Sequence, residues 1–179
     1  MVKTFSAVLF LLFLSRPAVA QDDFPRLEIG LGYANLGLPG TTSNSTQHHS
    51  GFGMHTDFNF TRNLGIDNYL GYYGLGNNAS LFSNIFGGRL MVRTDKITPY
   101  VVAGLGGSQV SINQGGSYYS GGNALSTRLG GGIDYKISDG LAWRVDASKL
   151  QFHSRDAANK KIWVGNMNIS TGIVITLMQ

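Results

Sequence analysis

Residues 125–152, LSTRLGGGIDYKISDGLAWRVDASKLQF, decide the fold. Up to residue 137 one side of the chain carries mainly apolar side chains, Leu125, Thr127, Leu129, Ile133, Tyr135 and Ile137. The other side carries Ser126, Arg128, Gly130, Gly132, Asp134 and Lys136. This period of two predicts a β-strand. The tight Ser138-Asp139-Gly140 link then predicts a hairpin, because Asp-Gly suits a two-residue turn between strands.

The same alternation recurs along the chain. It predicts eight strands, at 26–36, 51–60, 64–74, 85–93, 99–110, 125–137, 141–152 and 166–177. Long links at 37–49, 75–80, 111–123 and 153–161 alternate with short links at 62–63, 94–97 and 138–140. Such an alternation is typical of an up-and-down barrel with long loops at one end and short turns at the other. We therefore predict an all-β, eight-stranded antiparallel transmembrane β-barrel.

Composition and the N-terminus indicate where this barrel resides. Only 13% of the 179 residues are charged, about half the usual share for a soluble domain, and there is no cysteine. Lys3, the apolar run at 5–14 and Ala18-Val19-Ala20 have the pattern of a cleaved secretory signal. We assign 1–20 to a signal peptide and 21–179 to the barrel domain. Without Lys3 and Arg16 the net charge falls from +4 to +2, so the chain lacks the basic excess of a nucleic-acid-binding protein.

The polar side of the strands is predicted to face the interior. It is rich in glycine, serine and asparagine with charges of both signs, whereas a water-facing surface would be dense in Lys and Glu. An eight-stranded barrel is just wide enough to be filled by side chains. Seven basic and five acidic residues are then expected in a lumen network of ion pairs: Arg26, Glu28, His55, Asp57, Asp67, Arg89, Arg93, Arg128, Asp134, Lys136, Arg144 and Asp146. The alternative is a charged permeation path.

The apolar side of the strands is predicted to meet lipid. Aromatic residues near strand ends suggest girdles at the two interfaces: Tyr33, Phe60, Tyr72, Trp143 and Phe152. The chain would thus be a monomer in contact with outer-membrane lipids. A different function class remains open at this point, a soluble secreted barrel of the lipocalin kind with the apolar side lining a ligand cavity.

Three stretches resemble recurrent segments of a known family, the small outer-membrane β-barrel proteins of Gram-negative bacteria of the OmpA and OmpX type. They are FGGRLMVRTDKITPYVVAGLGG (86–107), LGGGIDYKISDGLAWRVDA (129–147) and STGIVITL (170–177). The resemblance implies the barrel fold, a bacterial outer-membrane location and a structural, surface-interaction or small-pore role. The C-terminal residues Leu177-Met178-Gln179 depart from the aromatic ending usual in the family.

Little in the sequence indicates catalysis. His153 and Ser154, near Asp156, are the one suggestive pair for a lipid-modifying enzyme, but neighbours on a strand point to opposite faces. His48 and His49 lack a third metal ligand. We expect no enzyme, metal or other cofactor. An extracellular partner, if there is one, would bind through the loops at 37–49 and 111–123, where Tyr118-Tyr119 could be exposed.

Overall fold

The computed structural model describes residues 24–39, 45–114, 117–120, 123–155 and 161–179. The signal peptide assigned to 1–20 lies outside these ranges, and so do Asp156 and the side chains of Ser154, Tyr118 and Tyr119. Within the described ranges, no helix has the length and apolar character of a membrane span.

Nine strands follow one another along the described chain: β1 (Leu27–Pro39), β2 (Thr46–Asn59), β3 (Leu64–Gly76), β4 (Ala79–Met91), β5 (Ile97–Gln114), β6 (Ser117–Ser120), β7 (Ala124–Ser138), β8 (Leu141–Arg155) and β9 (Lys161–Met178). Eight of them form the barrel wall. The short β6 pairs with the last residues of β5, from Ser111↔Ser120 to Gln114↔Ser117, and extends that hairpin beyond the wall.

The wall is closed and antiparallel throughout. Each strand of the wall pairs with its neighbour in the chain, and β1 also pairs with β9 from Leu27↔Met178 to Gly37↔Met167. The pairing of β4 with β5 completes the ring. In the described part of the chain each wall strand pairs on both sides over most of its length, as a barrel in lipid requires. The predicted eight-stranded up-and-down barrel is confirmed.

The two ends of the barrel differ in their connections. We call the end with the start of β1, the end of β9 and the links at 60–63, 92–96 and 139–140 the turn end, and the opposite end the loop end. At the loop end the predicted long link at 75–80 is wrong, because β3 and β4 are joined by Asn77-Asn78 alone. Both asparagines have positive φ, 47° and 58°, which asparagine tolerates better than most residues and which suits a tight hairpin turn.

The outer face of the wall is apolar. Leu105 and Leu129 in mid-strand are 64% and 67% exposed, and Tyr33, Phe60, Tyr72 and Trp143 are exposed as predicted. Phe152 is an exception, because its side chain is buried inside the barrel. It lies on the same side of β8 as Arg144 and Asp146, so the alternation itself directs it inward. An apolar outer face also excludes the lipocalin-like alternative, whose apolar side would line the interior.

Candidate functional site

The half of the interior nearer the turn end contains the predicted charges. Nine of the twelve predicted residues are buried there and Arg93 is partly buried. We call these ten residues the charged layer: Glu28, His55, Asp57, Asp67, Arg89, Arg93, Arg128, Asp134, Arg144 and Asp146. Their strands bring them together because alternate residues of every wall strand point inward.

Two arginines share two aspartates at the centre of the charged layer. Arg89 donates from Nη1 to Asp57 Oδ2 at 2.7 Å and from Nη2 to Asp134 Oδ2 at 2.5 Å. Arg144 donates two hydrogen bonds to Asp134, from Nε at 2.6 Å and Nη2 at 2.8 Å, and its Nη1 lies 2.8 Å from Asp57 Oδ2. The Tyr100 ring faces both guanidinium groups, with its centroid 4.0 Å from Arg89 Cζ and 5.1 Å from Arg144 Cζ. Shared carboxylates and a π-face thus hold two like charges together.

Arg128 forms a second centre. Its Nη1 donates to Asp67 Oδ1 at 2.5 Å and its Nη2 donates to Asp146 Oδ2 at 2.8 Å. The other Asp67 oxygen is hydrogen-bonded to His55 Nδ1 at 2.8 Å. The Arg128 guanidinium also lies over the Tyr69 ring, 4.6 Å from its centroid. The Arg128 guanidinium is therefore paired with two carboxylates and stacked on one aromatic ring.

Further contacts join these centres to each other and to the turn end. Tyr100 donates its hydroxyl to Asp146 Oδ2 at 2.9 Å, which connects the two arginine centres. Glu28 Oε2 accepts from Asn59 Nδ2 at 2.8 Å and from Arg93 Nη2 at 3.2 Å, and it lies 3.8 Å from Arg89 Nη1. The charged layer is thus one continuous network that crosses the lumen.

Two of the twelve predicted residues lie outside this network. Arg26 is exposed ahead of β1, with its Cζ 5.3 Å from the centroid of the Phe24 ring. Lys136 is exposed at the turn end, where its Nζ lies 2.7 Å from Asp139 Oδ1. This hydrogen bond and the lysine charge lower the pKa of Asp139. Lys136 and Asp139 help to line an open cavity of about 430 Å³ at the turn end.

Above the charged layer, towards the loop end, lies a small cluster of hydrogen-bonded side chains. The hydroxyls of Tyr69 and Tyr73 are 2.5 Å apart. Tyr73 donates to Asn168 Oδ1 at 2.8 Å, and Asn168 Nδ2 donates to the Tyr69 hydroxyl at 3.3 Å and to Ser148 Oγ at 3.4 Å. Sequence reasoning missed the two tyrosines. The signal was present, because both share the inward side of β3 with Asp67.

Apolar side chains fill the interior beyond this cluster. We call them the apolar layer: Ala34, Leu36, Leu81, Ile85, Leu150 and Phe152, packed against the rings of Tyr69 and Tyr73. The polar side of the strands predicted glycine, serine, asparagine and charged residues in the lumen, and this apolar layer was not predicted. Each of its members lies on the inward side of its strand, and Leu38 and Leu75 pack against it towards the loop end. The interior is therefore charged at one end and apolar at the other.

Glycines on the inward side make room for the tyrosine rings. A Cβ atom at Gly71 would lie 2.8 Å from Tyr73 Cε2 and 3.0 Å from Tyr69 Cε1, while a Cβ at Gly88 would meet nothing within 4 Å. Because both rings are fully buried, they have no space into which to move.

We predict that Gly71→Ala lowers the free energy of unfolding by about 1–3 kcal/mol, the usual cost of overpacking a filled core. Gly88→Ala is the matched control and should change it by less than about 0.5 kcal/mol. Urea titrations of both variants in detergent micelles measure the difference. Equal stability of the two variants would show that the tyrosine rings are not packed against Gly71.

The residues considered for catalysis do not form a catalytic arrangement in the described part of the chain. The His153 ring packs against Trp163, with ring centroids 5.1 Å apart. His48 Nδ1 is hydrogen-bonded to Asn35 Oδ1 at 2.9 Å, whereas His49 Nδ1 is hydrogen-bonded to the Gly74 carbonyl at 3.2 Å. The two adjacent histidines thus have separate partners.

One group of side chains has the spacing of metal ligands. In the described residues these are His55, Asp57 and Asp67, whose nearest ligand atoms lie within 4.8 Å of one another. Asp57 is already paired with two arginines and Asp67 with Arg128. The surrounding guanidinium charges oppose a bound cation, so the arrangement fits an ion-pair network better than a metal site.

Comparison with known proteins agrees with this architecture. The solved structure of Neisserial surface protein A is similar to the chain with a TM-score of 0.67 at 15% identity, over 84% of this chain and 97% of that one. Ail, the attachment invasion locus protein of Yersinia pestis, is similar with a TM-score of 0.52 at 16% identity, over 83% of this chain and 97% of that one. OprG from Pseudomonas aeruginosa is similar with a TM-score of 0.53 at 11% identity, over 86% of this chain and 96% of that one. At these identities the similarity concerns the fold alone, and no curated protein sequence matches the chain significantly.

A family model matches almost the whole sequence. It describes the outer membrane protein beta-barrel domain and covers residues 6–174. The closed wall and the apolar outer face are typical of a small membrane-spanning barrel. The chain belongs to the outer membrane protein beta-barrel domain family and is a protein of the bacterial outer membrane.

Proposed function

We propose that this protein is a closed membrane scaffold, in which the barrel does not conduct solutes and the surface at the loop end carries the interactions. The observation behind this proposal is the filling of the interior by two successive layers. A solute that entered at the turn end would meet first the charged layer and then the apolar layer. Each layer alone is a barrier of a different kind.

The charged layer resists opening because each of its carboxylates is paired with at least one guanidinium group. Five carboxylates, those of Glu28, Asp57, Asp67, Asp134 and Asp146, pair with the guanidinium groups of Arg89, Arg93, Arg128 and Arg144. An ion that passed through would have to replace contacts of 2.5–2.8 Å with weaker ones, at the cost of leaving buried charges unpaired. The pairing therefore supports a plug more than a permeation path.

The apolar layer resists water. Its side chains and the rings of Tyr69 and Tyr73 form one contiguous cluster. Apolar constrictions of this kind exclude ions because the ion would lose its hydration there.

Under this proposal the loop end is the functional surface. The β1–β2 hairpin continues to Pro39↔Thr46, and the β5–β6 hairpin extends past the wall. These hairpins belong to the loops at 37–49 and 111–123, through which an extracellular partner would bind a monomeric barrel. No enzymatic step is part of the proposal, since His153 faces the outer side of the wall beside Trp163.

Single-channel recording tests the closed lumen. The protein reconstituted in a planar bilayer should give no current steps above the lipid background, with a wide porin recorded under the same conditions as the positive control. The double variant Tyr73→Ala/Phe152→Ala should still be silent, because the charged layer remains in place. Regular current steps from the unmodified protein would contradict the proposal and favour the small-pore role.

A further inference from the structure

The outer face of the wall carries one charge that the barrel itself does not require. Among the strand side chains that the structure describes, Lys149 is the only Lys, Arg, Asp or Glu that points outward. Its neighbours across the sheet are Leu129 on β7 and Met167 on β9, both exposed and apolar. An ionisable side chain on a lipid-facing surface is costly and therefore indicates a function.

The side chain of Lys149 has a defined direction. A Cβ atom at Gly165 would lie 2.8 Å from Lys149 Cε and 3.5 Å from its Nζ. Gly165 pairs with Gln151, two residues closer to the loop end than Lys149. The lysine stem therefore runs along the wall over a gap that Gly165 leaves open, with its ammonium group towards the loop end. This is how a lysine in a membrane brings its charge to the interface.

Polar groups accompany the ammonium group on the same outer surface. Gln151 Cγ would lie 3.9 Å from a Cβ at Gly165, and Gln151 Oε1 accepts from Thr127 Oγ1 at 3.4 Å. Tryptophan is enriched at membrane interfaces, and Trp163 pairs with His153, two residues closer to the loop end than Gln151. His153 lies four positions after Lys149, which is about 10 Å along the barrel axis for a tilted strand. The extended lysine thus points towards the level at which Trp163 and His153 lie.

We propose that this outer surface, formed by Lys149, Gln151 and Gly165, binds the phosphate of an anionic lipid headgroup in the leaflet at the loop end. The ammonium group supplies the positive charge and a donor, while the Gln151 side-chain amide nitrogen can donate to a phosphate oxygen. The backbone pair Arg155↔Lys161 places two more basic residues at the ends of the same two strands. Lipid recognition here is independent of whether the lumen is closed.

Tryptophan fluorescence can measure this binding, because the chain has two tryptophans. In a Trp143→Phe background Trp163 alone reports on the site. The protein is reconstituted in phosphatidylcholine vesicles with a minor fraction of brominated phosphatidylglycerol or, separately, brominated phosphatidylcholine. We expect phosphatidylglycerol to be preferred about fivefold, the effect of one basic residue near an anionic surface. Lys149→Gln should bring the preference to about one, and Lys136→Gln, which removes a charge at the turn end, should leave it unchanged.

A second variant keeps Lys149 and changes only the space along which its side chain extends. Gly165→Val places a side chain where the lysine stem lies and should also reduce the preference. Folding of every variant is checked by a gel shift between unheated and boiled samples. The proposal is overturned if Lys149→Gln keeps the full preference. It is also overturned if inorganic phosphate, at the concentration of the lipid phosphate, abolishes the preference, since the ligand would then be a soluble anion.

Discussion

Arg89→Met is expected to lower the free energy of unfolding by about 3–5 kcal/mol, the usual effect of removing one partner from a buried ion pair. The Arg89 side chain is fully buried and contacts Asp57, Asp134 and the Tyr100 ring. Its loss leaves two aspartates with one fewer guanidinium group in a water-poor interior. Urea unfolding of the protein in lipid vesicles, followed by tryptophan fluorescence, measures the change.

Arg26→Met is the matched control for this experiment, because it makes the same substitution outside the charged layer. Arg26 is exposed, and we expect a change within about 0.5 kcal/mol. If both variants were equally stable, Arg89 would not be part of a tightly paired network. The ion-pair plug would then have to be abandoned.

Leu105→Arg is expected to have the second largest effect, a loss of about 2–4 kcal/mol in a bilayer. Leu105 is 64% exposed on the outer side of β5, between Phe86 and Thr127 on the adjacent strands. An arginine there would place its charge in the hydrocarbon region. Equilibrium unfolding from phosphatidylcholine vesicles measures the loss.

Leu105→Ala serves as the control, since it removes apolar contact with lipid without adding a charge. We expect it to cost clearly less than the arginine. A result in which Leu105→Arg is as stable as the unmodified protein in vesicles would mean that this face does not meet lipid.

Alternation along the strands explains why the fold could be predicted. In a closed barrel of eight strands each strand residue faces either lipid or the lumen. Because successive residues alternate between the two faces, knowing the direction of one residue gives the direction of the others in its strand. The side chains of Arg128 and Asp134 on β7 and of Arg144 and Asp146 on β8 could be placed inward on this basis. Their ion-pair partners could not be predicted, because the shear of the barrel determines which inward residues of different strands lie at the same height along its axis.

Three features of the structure differ from the sequence-based prediction, each for a physical reason. The apolar layer was missed because inward and outward apolar residues look alike in composition, and only parity separates Leu150 from Val145 on β8. The tight turn at Asn77-Asn78 was hidden by polar neighbours that also suit a loop. Lys136 has inward parity but lies beside the open cavity at the turn end, where its ammonium group is paired with Asp139.

Thiol labelling along β5 tests the central claim most directly, because the chain contains no native cysteine. Single cysteines replace Val101 and Leu105 on the outer side and Val102 and Ser108 on the inner side. In vesicles, the two outer cysteines should react with a lipid-soluble maleimide, and the two inner ones should react neither with it nor with a small water-soluble thiosulfonate. Rapid reaction of the inner cysteines with the water-soluble reagent would show a water-filled lumen and contradict the account.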